Sequence, residues 1–329
     1  MTETCLLTRR DVEALLGWDE CIAAVEDAFR LHGEGRSLAP GVLGVSAPHG
    51  GFHIKAAGLE LGRLYFAVKT NANFSDNPRR HGLPAIQGVI VLCDADDGRP
   101  LAVMDSIEVT IRRTAAATAV AAKHLARSDA RAVTICGCGS QGRAQLQALA
   151  RVLPLEHAWA FDTDESTART YAADMAAELG IEVTPITDLA AGLAASDVCV
   201  TCTPSRKPFL MREHVRPGTF VAAVGADNSD KQELDPHLMA AGVVVTDVLE
   251  QCAAIGDLHH ALAAGVMSSE DVHAELADLV TRRKSGRRSS DEITIFDSTG
   301  TALQDVAAAV VAYEKALTAG VGLRIALWA

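Results

Sequence analysis

No apolar run in this 329-residue chain is long enough to span a bilayer, which excludes a helical membrane protein. The opening residues Met1-Thr2-Glu3-Thr4 lack both a basic stretch and a long apolar one, so no secretory leader is evident and a cytoplasmic protein is expected. Basic charge is in deficit: 30 Lys and Arg stand against 42 Asp and Glu, a net charge of -12. That balance argues against nucleic acid and anionic membrane as partners, although a site within an acidic chain can be locally basic. Neither an internal repeat nor a low-complexity linker is present. The cysteines show no persuasive metal spacing. Cys136-x-Cys138 and Cys199-x-x-Cys202 look superficially like a four-thiolate set, but both pairs fall at the ends of expected strands, where small apolar residues are wanted. Buried reduced thiols and no metal are expected. What remains is 49% hydrophobic and 22% charged, an ordinary globular composition in a chain long enough for two domains.

The most informative stretch is Ala132-Val133-Thr134-Ile135-Cys136-Gly137-Cys138-Gly139-Ser140-Gln141-Gly142. It reads as a buried strand, a Gly-x-Gly-x-x-Gly turn, and a helix running on from Arg143 through Leu149. Gly137 permits the tight turn, Gly139 lets the backbone approach a pyrophosphate, and Gly142 lets the helix sit close on the sheet with its N-terminus towards the phosphates. A second apolar strand, Ala158-Trp159-Ala160-Phe161, ends in Asp162. That acid lies about twenty residues past the glycines, where a carboxylate accepts both ribose hydroxyls. Strand, glycines, helix, strand and acid together mark a dinucleotide site, with NAD(H) favoured over NADP(H).

Elsewhere the texture divides the chain. Thr8-x-x-Asp11 opens a helix with Val12, Leu15 and Leu16 on one face, and an amphipathic helix follows from about Asp19 to Leu31. Short glycine-punctuated β runs come next, at Val42–Ser46, Gly51–Ala57, Leu64–Thr70 and Gln87–Cys93, with Asp97-Gly98 as a hairpin turn. These predict an antiparallel or mixed sheet. Asp105-x-x-Glu108 begins an Ala-rich helix ending near Ala126. Strands near 132–136, 157–161, 197–202, 219–224 and 243–246 then alternate with helices, and Ile293-Thr294-Ile295-Phe296 adds a late one, giving a doubly wound parallel sheet. A final helix, about Leu303 to Leu317, is expected to pack back on the first domain. The Arg282-Arg283-Lys284 and Arg287-Arg288 cluster reads most simply as a solvated loop.

Open α/β sheets bind ligands at the carboxyl ends of their strands. Cys202-Thr203-Pro204-Ser205, Val224-Gly225-Ala226-Asp227 and Asp297-Ser298-Thr299-Gly300 should therefore converge there, with the hydroxyls and amides of the Cys202–Ser205 segment on the nicotinamide side. Asp227 is the best acid/base candidate of the three segments, or else a turn aspartate satisfying backbone amides. Lys69, within Tyr65-Phe66-Ala67-Val68-Lys69-Thr70, is either a snorkelling surface residue or a buried functional cation. Arg113 sits on the Ala-rich helix, placed to clamp a carboxylate bidentately or to bridge a domain seam.

The runs Lys69-Thr70-Asn71, Gly82-Leu83-Pro84-Ala85-Ile86-Gln87-Gly88 and Asp97-Gly98-Arg99-Pro100-Leu101-Ala102 closely resemble the ornithine cyclodeaminase/mu-crystallin family. So do Arg113-Thr114-Ala115-Ala116-Ala117, the glycine loop, Val224-Gly225-Ala226-Asp227 and Ile293-Thr294-Ile295-Phe296-Asp297-Ser298-Thr299-Gly300, in order along nearly the whole chain. The resemblance implies an α/β protein of two domains. Residues 1–125, completed by a C-terminal helix within 303–329, would form a substrate-binding and dimerisation domain, and residues 126–302 a Rossmann domain. It implies a homodimer using NAD(P)(H) at the amino-bearing carbon of amino or imino acids. Lys69 is similar to the family lysine on the substrate carboxylate, Arg113 to the arginine bridging carboxylate and cofactor, and Asp227 to the catalytic aspartate. Thr114, Gly137, Gly139, Ser140, Gln141, Asp162, Thr203, Val224, Gly225, Lys231 and Ser298 fall at cofactor-contacting places.

The chain departs from cyclodeaminases where these carry an arginine before the first hairpin and a Met-Pro pair ahead of the lysine. Here Pro40-Gly41-Val42 and His53-Ile54-Lys55-Ala56-Ala57 stand instead, so Lys55, with His53 on the same strand face, is either a second substrate-carboxylate reader or an exposed strand lysine. Ala85 replaces a threonine, and Asn228-Ser229-Asp230 a Pro-Gly turn. These differences favour a reductase of a 2-imino acid, such as iminosuccinate, an alanine-type imine or Δ1-pyrroline-2-carboxylate. Ornithine cyclodeamination and mu-crystallin-like binding of NAD(P) and a ligand are the alternatives.

Overall fold

The computed structural model describes residues 3–327. Two compact units emerge, residues 1–113 with 301–329, and residues 114–300. The Ser106–Leu125 helix carries the chain from the first to the second.

In the first unit, strands β1 (Thr4–Leu7), β2 (Ser37–Ala47), β3 (Gly50–Glu60), β4 (Leu64–Asn73), β5 (Ile86–Asp94) and β6 (Pro100–Asp105) form a mixed sheet. Its order is β1-β6-β5-β4-β3-β2, with a last strand, Leu323–Ile325, outside β1. Only β1 and β6 run parallel; the central strands form antiparallel hairpins, as their glycine-punctuated runs predict. The Thr8 capping box exists: Asp11 N donates to Thr8 Oγ1, and Thr8 N to Asp11 Oδ2 at 2.8 Å. The C-terminal helix, Ala302–Ala319, is capped by Thr301 and stopped by Gly320 in the left-handed region. Almost every residue of its first three turns is buried, and it packs on β3, β4 and the Trp18–Gly33 helix.

The second unit holds β7 (Ala132–Cys136), β8 (His157–Phe161), β9 (Glu182–Ile186), β10 (Val198–Thr201), β11 (Arg206–Leu210), β12 (Phe220–Ala223), β13 (Gln232–Leu234), β14 (Val243–Thr246), β15 (Ala274–Glu275) and β16 (Thr294–Asp297). Eight of them form a parallel sheet ordered β15-β14-β16-β12-β10-β7-β8-β9, while β11 and β13 pair separately. The strand order reverses between β7 and β10, so the switch-point crevice lies above the glycine loop. The central strands β7, β10, β12 and β16 are short and buried on both faces, as helix-covered parallel strands must be. Among the described residues no helix is long and apolar enough to cross a membrane.

One expectation is corrected. Arg287 is not a solvated loop residue: its Nε donates to Leu125 O at 2.7 Å, Nη1 to Glu292 O at 2.6 Å and Nη2 to Thr294 Oγ1 at 2.9 Å. It ties the end of the Ala-rich helix to the start of β16, and burial lowers its pKa. Arg282, Arg283, Lys284 and Arg288 are exposed, as expected. The described cysteines are all free thiols.

Candidate functional site

Within the first unit a cluster of cations lies on the inner face of the sheet. Strand alternation turns Lys69 of β4 inward, and the β3–β4 register sets Lys55 directly opposite it. Two ammonium groups side by side on one sheet face repel. Both are nevertheless buried, Lys69 at 3% and Lys55 at 7% exposure, and Arg113 joins them at 4%. The compensating group is Asp305, in the first turn of the Ala302–Ala319 helix. Lys69 Nζ donates to its Oδ1 at 2.8 Å and lies 2.7 Å from Oδ2, and Arg113 Nε donates to Oδ1 at 2.9 Å. Arg113 Nη1 donates to Gln304 Oε1 at 2.8 Å. Loss of solvent and the neighbouring Arg113 bring the Lys69 pKa down to about 7, with the attraction of Asp305 opposing them. Burial pushes Asp305 up, but Arg113 and Lys69 outweigh it and hold the carboxyl below its ordinary value. Lys69 and Arg113 thus share one carboxylate, with Lys55 across the ladder from Lys69, an arrangement that a further anion could join. His53 is half-buried two residues from Lys55 on the same face, opposite Asn71 of β4.

Asp305 and Gln304 are absent from the sequence-based set. An acid in a first helical turn reads as a helix-dipole partner. The available signal is its setting, since Asp305 begins the otherwise apolar run Val306-Ala307-Ala308-Ala309-Val310.

In the second unit the glycines behave as their spacing predicts. Gly137 has φ 103°, and a methyl added to Gly142 would collide with the Gly137 carbonyl oxygen. A Cβ built on Gly139 meets nothing within 4 Å, and no side chain caps the Ser140–Leu149 helix, so its N-terminal amides are open to an anion. Gly139 and Ser140 are exposed, with Gln141 part-buried beside them. Asp162, at the end of β8, accepts from Cys138 N at 2.9 Å and from Asp164 N at 3.0 Å, which fixes the carboxylate beside the loop.

A buried glutamate missing from the sequence-based set organises the neighbouring strand ends. Glu233 Oε1 accepts from Thr203 N at 2.6 Å and Thr203 Oγ1 at 2.7 Å, and Oε2 accepts from Gly225 N at 2.9 Å. It thereby joins the loops after β10 and β12. Burial and the nearby Asp257 raise its pKa to about 7, against the Thr203 bonds. Asp227 is half-exposed, and Lys231 Nζ lies 2.7 Å from its Oδ1 and donates to Gly225 O at 3.3 Å. Ser298 is buried, donating to Asp247 Oδ2 at 2.9 Å. Val224 is part-buried in the loop after β12, and Thr114 is buried in the Ala-rich helix. Among the described residues no group of three His, Cys, Asp or Glu is arranged to hold a metal.

Several solved structures match this fold along nearly its full length, three of them as follows. An archaeal alanine dehydrogenase dimer with bound NAD superposes with a TM-score of 0.94 at 39% identity, over 99% of this chain and 100% of that one. The Δ1-pyrroline-2-carboxylate reductase of Thermococcus litoralis, in complex with NADH and L-proline, gives 0.93 at 34% identity, over 97% and 99%. The iminosuccinate reductase of Paracoccus denitrificans in complex with NAD+ gives 0.91 at 32% identity, over 99% and 100%. The family sequence model matches residues 2–320, and the chain belongs to the ornithine cyclodeaminase/mu-crystallin family.

Proposed function

We propose that this protein is an NAD(H)-dependent oxidoreductase that reduces the C=N bond of a 2-imino acid to the amino acid, or runs the same reaction in reverse. The observation that carries this reading is the excess of buried positive charge around Asp305 in the first unit. Lys69 and Arg113 present charge-assisted donors to a substrate carboxylate, which holds the neighbouring carbon at a fixed place. Asp227 supplies or orders the proton that the nitrogen takes up as the C=N bond is reduced: in its acid form it donates the proton, and as the carboxylate paired with Lys231 it orders a proton already on the nitrogen.

The second unit has the features a dinucleotide needs. Gly137, Gly139, Ser140 and Gln141 would receive the pyrophosphate, Asp162 the adenosine ribose, and Thr203, Val224, Gly225 and Ser298 the nicotinamide end, with Arg113, Thr114 and Lys231 as further contacts. Bound NAD(H) supplies or accepts the hydride. The acid at 162 favours NAD(H), because a 2′-phosphate placed there would meet a like charge. The three matching structures, each described with NAD, NADH or NAD+, support the same choice.

The test is NADH oxidation by the purified protein. Ammonia is combined in turn with pyruvate, oxaloacetate and glyoxylate, preformed Δ1-pyrroline-2-carboxylate is offered separately, and ornithine with NAD+ is the comparison. Consumption of NADH with one of the imines is expected. Proline and ammonia from ornithine, with every reductive assay silent, would replace this reading with cyclodeamination; silence throughout would leave a binding protein.

A further inference from the structure

Gln304 has an unused half. Its side chain is fully buried, and Oε1 receives Arg113 Nη1. A guanidinium only donates, so the amide orientation is fixed by that bond, and Nε2 is the atom left over. Among the described residues, Nε2 has no hydrogen-bond partner. A buried amide donor without an acceptor is destabilising unless a ligand completes it. The neighbouring residue, Asp305, holds both Lys69 and Arg113, so one turn of helix carries an anchor for two cations and an unmatched donor beside one of them.

We propose that Gln304 and Asp305 complete the substrate-carboxylate site, Gln304 as a direct donor to the carboxylate through Nε2 and Asp305 as the positioning residue that fixes Lys69 and Arg113 around it. The inference rests on the imino-acid reading and adds its second wall. Lys69 faces Lys55 from β3, Arg113 from the Ser106–Leu125 helix and Asp305 from the Ala302–Ala319 helix. Of these charged neighbours only Asp305 favours the ammonium form. Without it, two like charges and burial act unopposed, and Lys69 gives up its proton at lower pH.

Two variants separate the roles. Gln304→Glu keeps an acceptor for Arg113 and replaces the donor by an oxygen that repels a carboxylate. It should raise KM for the imino acid by roughly tenfold or more, with a smaller effect on kcat; an unchanged KM would overturn the Gln304 assignment. Asp305→Asn should shift the alkaline fall of kcat/KM to lower pH by roughly one to three units. Comparison with the wild type on the same substrate cancels any titration of the imine itself. The Lys69 15Nζ resonance, followed against pH in the substrate-free protein, should titrate lower by a similar interval. This second readout needs no turnover, so it decides the role of Asp305 even if no imino acid proves to be a substrate. An unmoved Lys69 titration would overturn the positioning role. Should Asp305→Asn not fold, Asp305→Glu retains the charge one methylene further out. It should leave the Lys69 titration near the wild-type position and lower kcat/KM about tenfold or more; wild-type kcat/KM in that variant would count against positioning.

Discussion

At the scale of single residues, the charge balance around Lys69 governs the site. An isolated lysine at 3% exposure would sit uncharged, and an isolated aspartate at 1% would sit protonated. Asp305 favours the ammonium form of Lys69, while Arg113 and burial oppose it and leave the Lys69 pKa at about 7; Arg113 and Lys69 together keep Asp305 a carboxylate. Lys55 is the residue whose role depends on substrate. It stands across the β3–β4 ladder from Lys69 and adds a third buried positive charge. A substrate with two carboxylates, such as the imine of oxaloacetate, would match that charge better than one with a single carboxylate. Lys55→Ala is therefore expected to lower kcat/KM by about 10- to 100-fold on oxaloacetate with ammonia, and to change it far less on pyruvate with ammonia. Equal losses on both would remove Lys55 from side-chain recognition. His53 lies on the same face and is the next residue to vary if Lys55 behaves as expected.

At the scale of elements, β2 is the outlier. The central parallel strands of the second unit are buried on both faces, whereas Leu38, Val42, Leu43 and Val45 of β2 are exposed at the sheet edge. Phe52 of β3 and Ile86 and Val89 of β5 add to the exposed apolar surface of the same sheet. A long apolar edge strand left in water invites pairing with another chain. Pairing of this edge with a second copy of the chain would cover that surface. Light scattering should give twice the mass of one chain, and Leu43→Lys with Val45→Lys should return it to one mass. A monomer in the unaltered protein would contradict this assignment.

The elements also show what was legible beforehand and why. Strong patterns, namely the strand–glycine–helix start of the second unit, the Asp97-Gly98 hairpin and the Thr8 cap, needed only local chemistry to be read. The four-residue strand β1 is not legible in the sequence, because Thr4-Cys5-Leu6-Leu7 is too short to show alternation and owes its conformation to parallel pairing with β6. Edge strand β9 is equally faint in the sequence, because it contains Pro185 and alternates weakly, features an edge position tolerates. Lys69 and Arg113 stood out in the sequence, but Asp305 and Glu233 did not. Each is an acid whose partners lie on other elements: Lys69 is 236 residues from Asp305, and Thr203 is 30 from Glu233. Only folding brings such pairs together.

For the whole molecule, the cation cluster around Asp305 is what the proposed reduction depends on most. The most direct measurement is kcat/KM for the imine selected by the NADH assay, in the wild type and in Lys69→Met, with NADH affinity measured for both by fluorescence. Methionine keeps the length and apolar stem of lysine and removes its charge. The expected result is a loss of kcat/KM of about 10²-fold or more with NADH affinity little changed. Wild-type kcat/KM in a folded Lys69→Met protein would contradict the account, because the substrate carboxylate would then be held somewhere other than at this cluster.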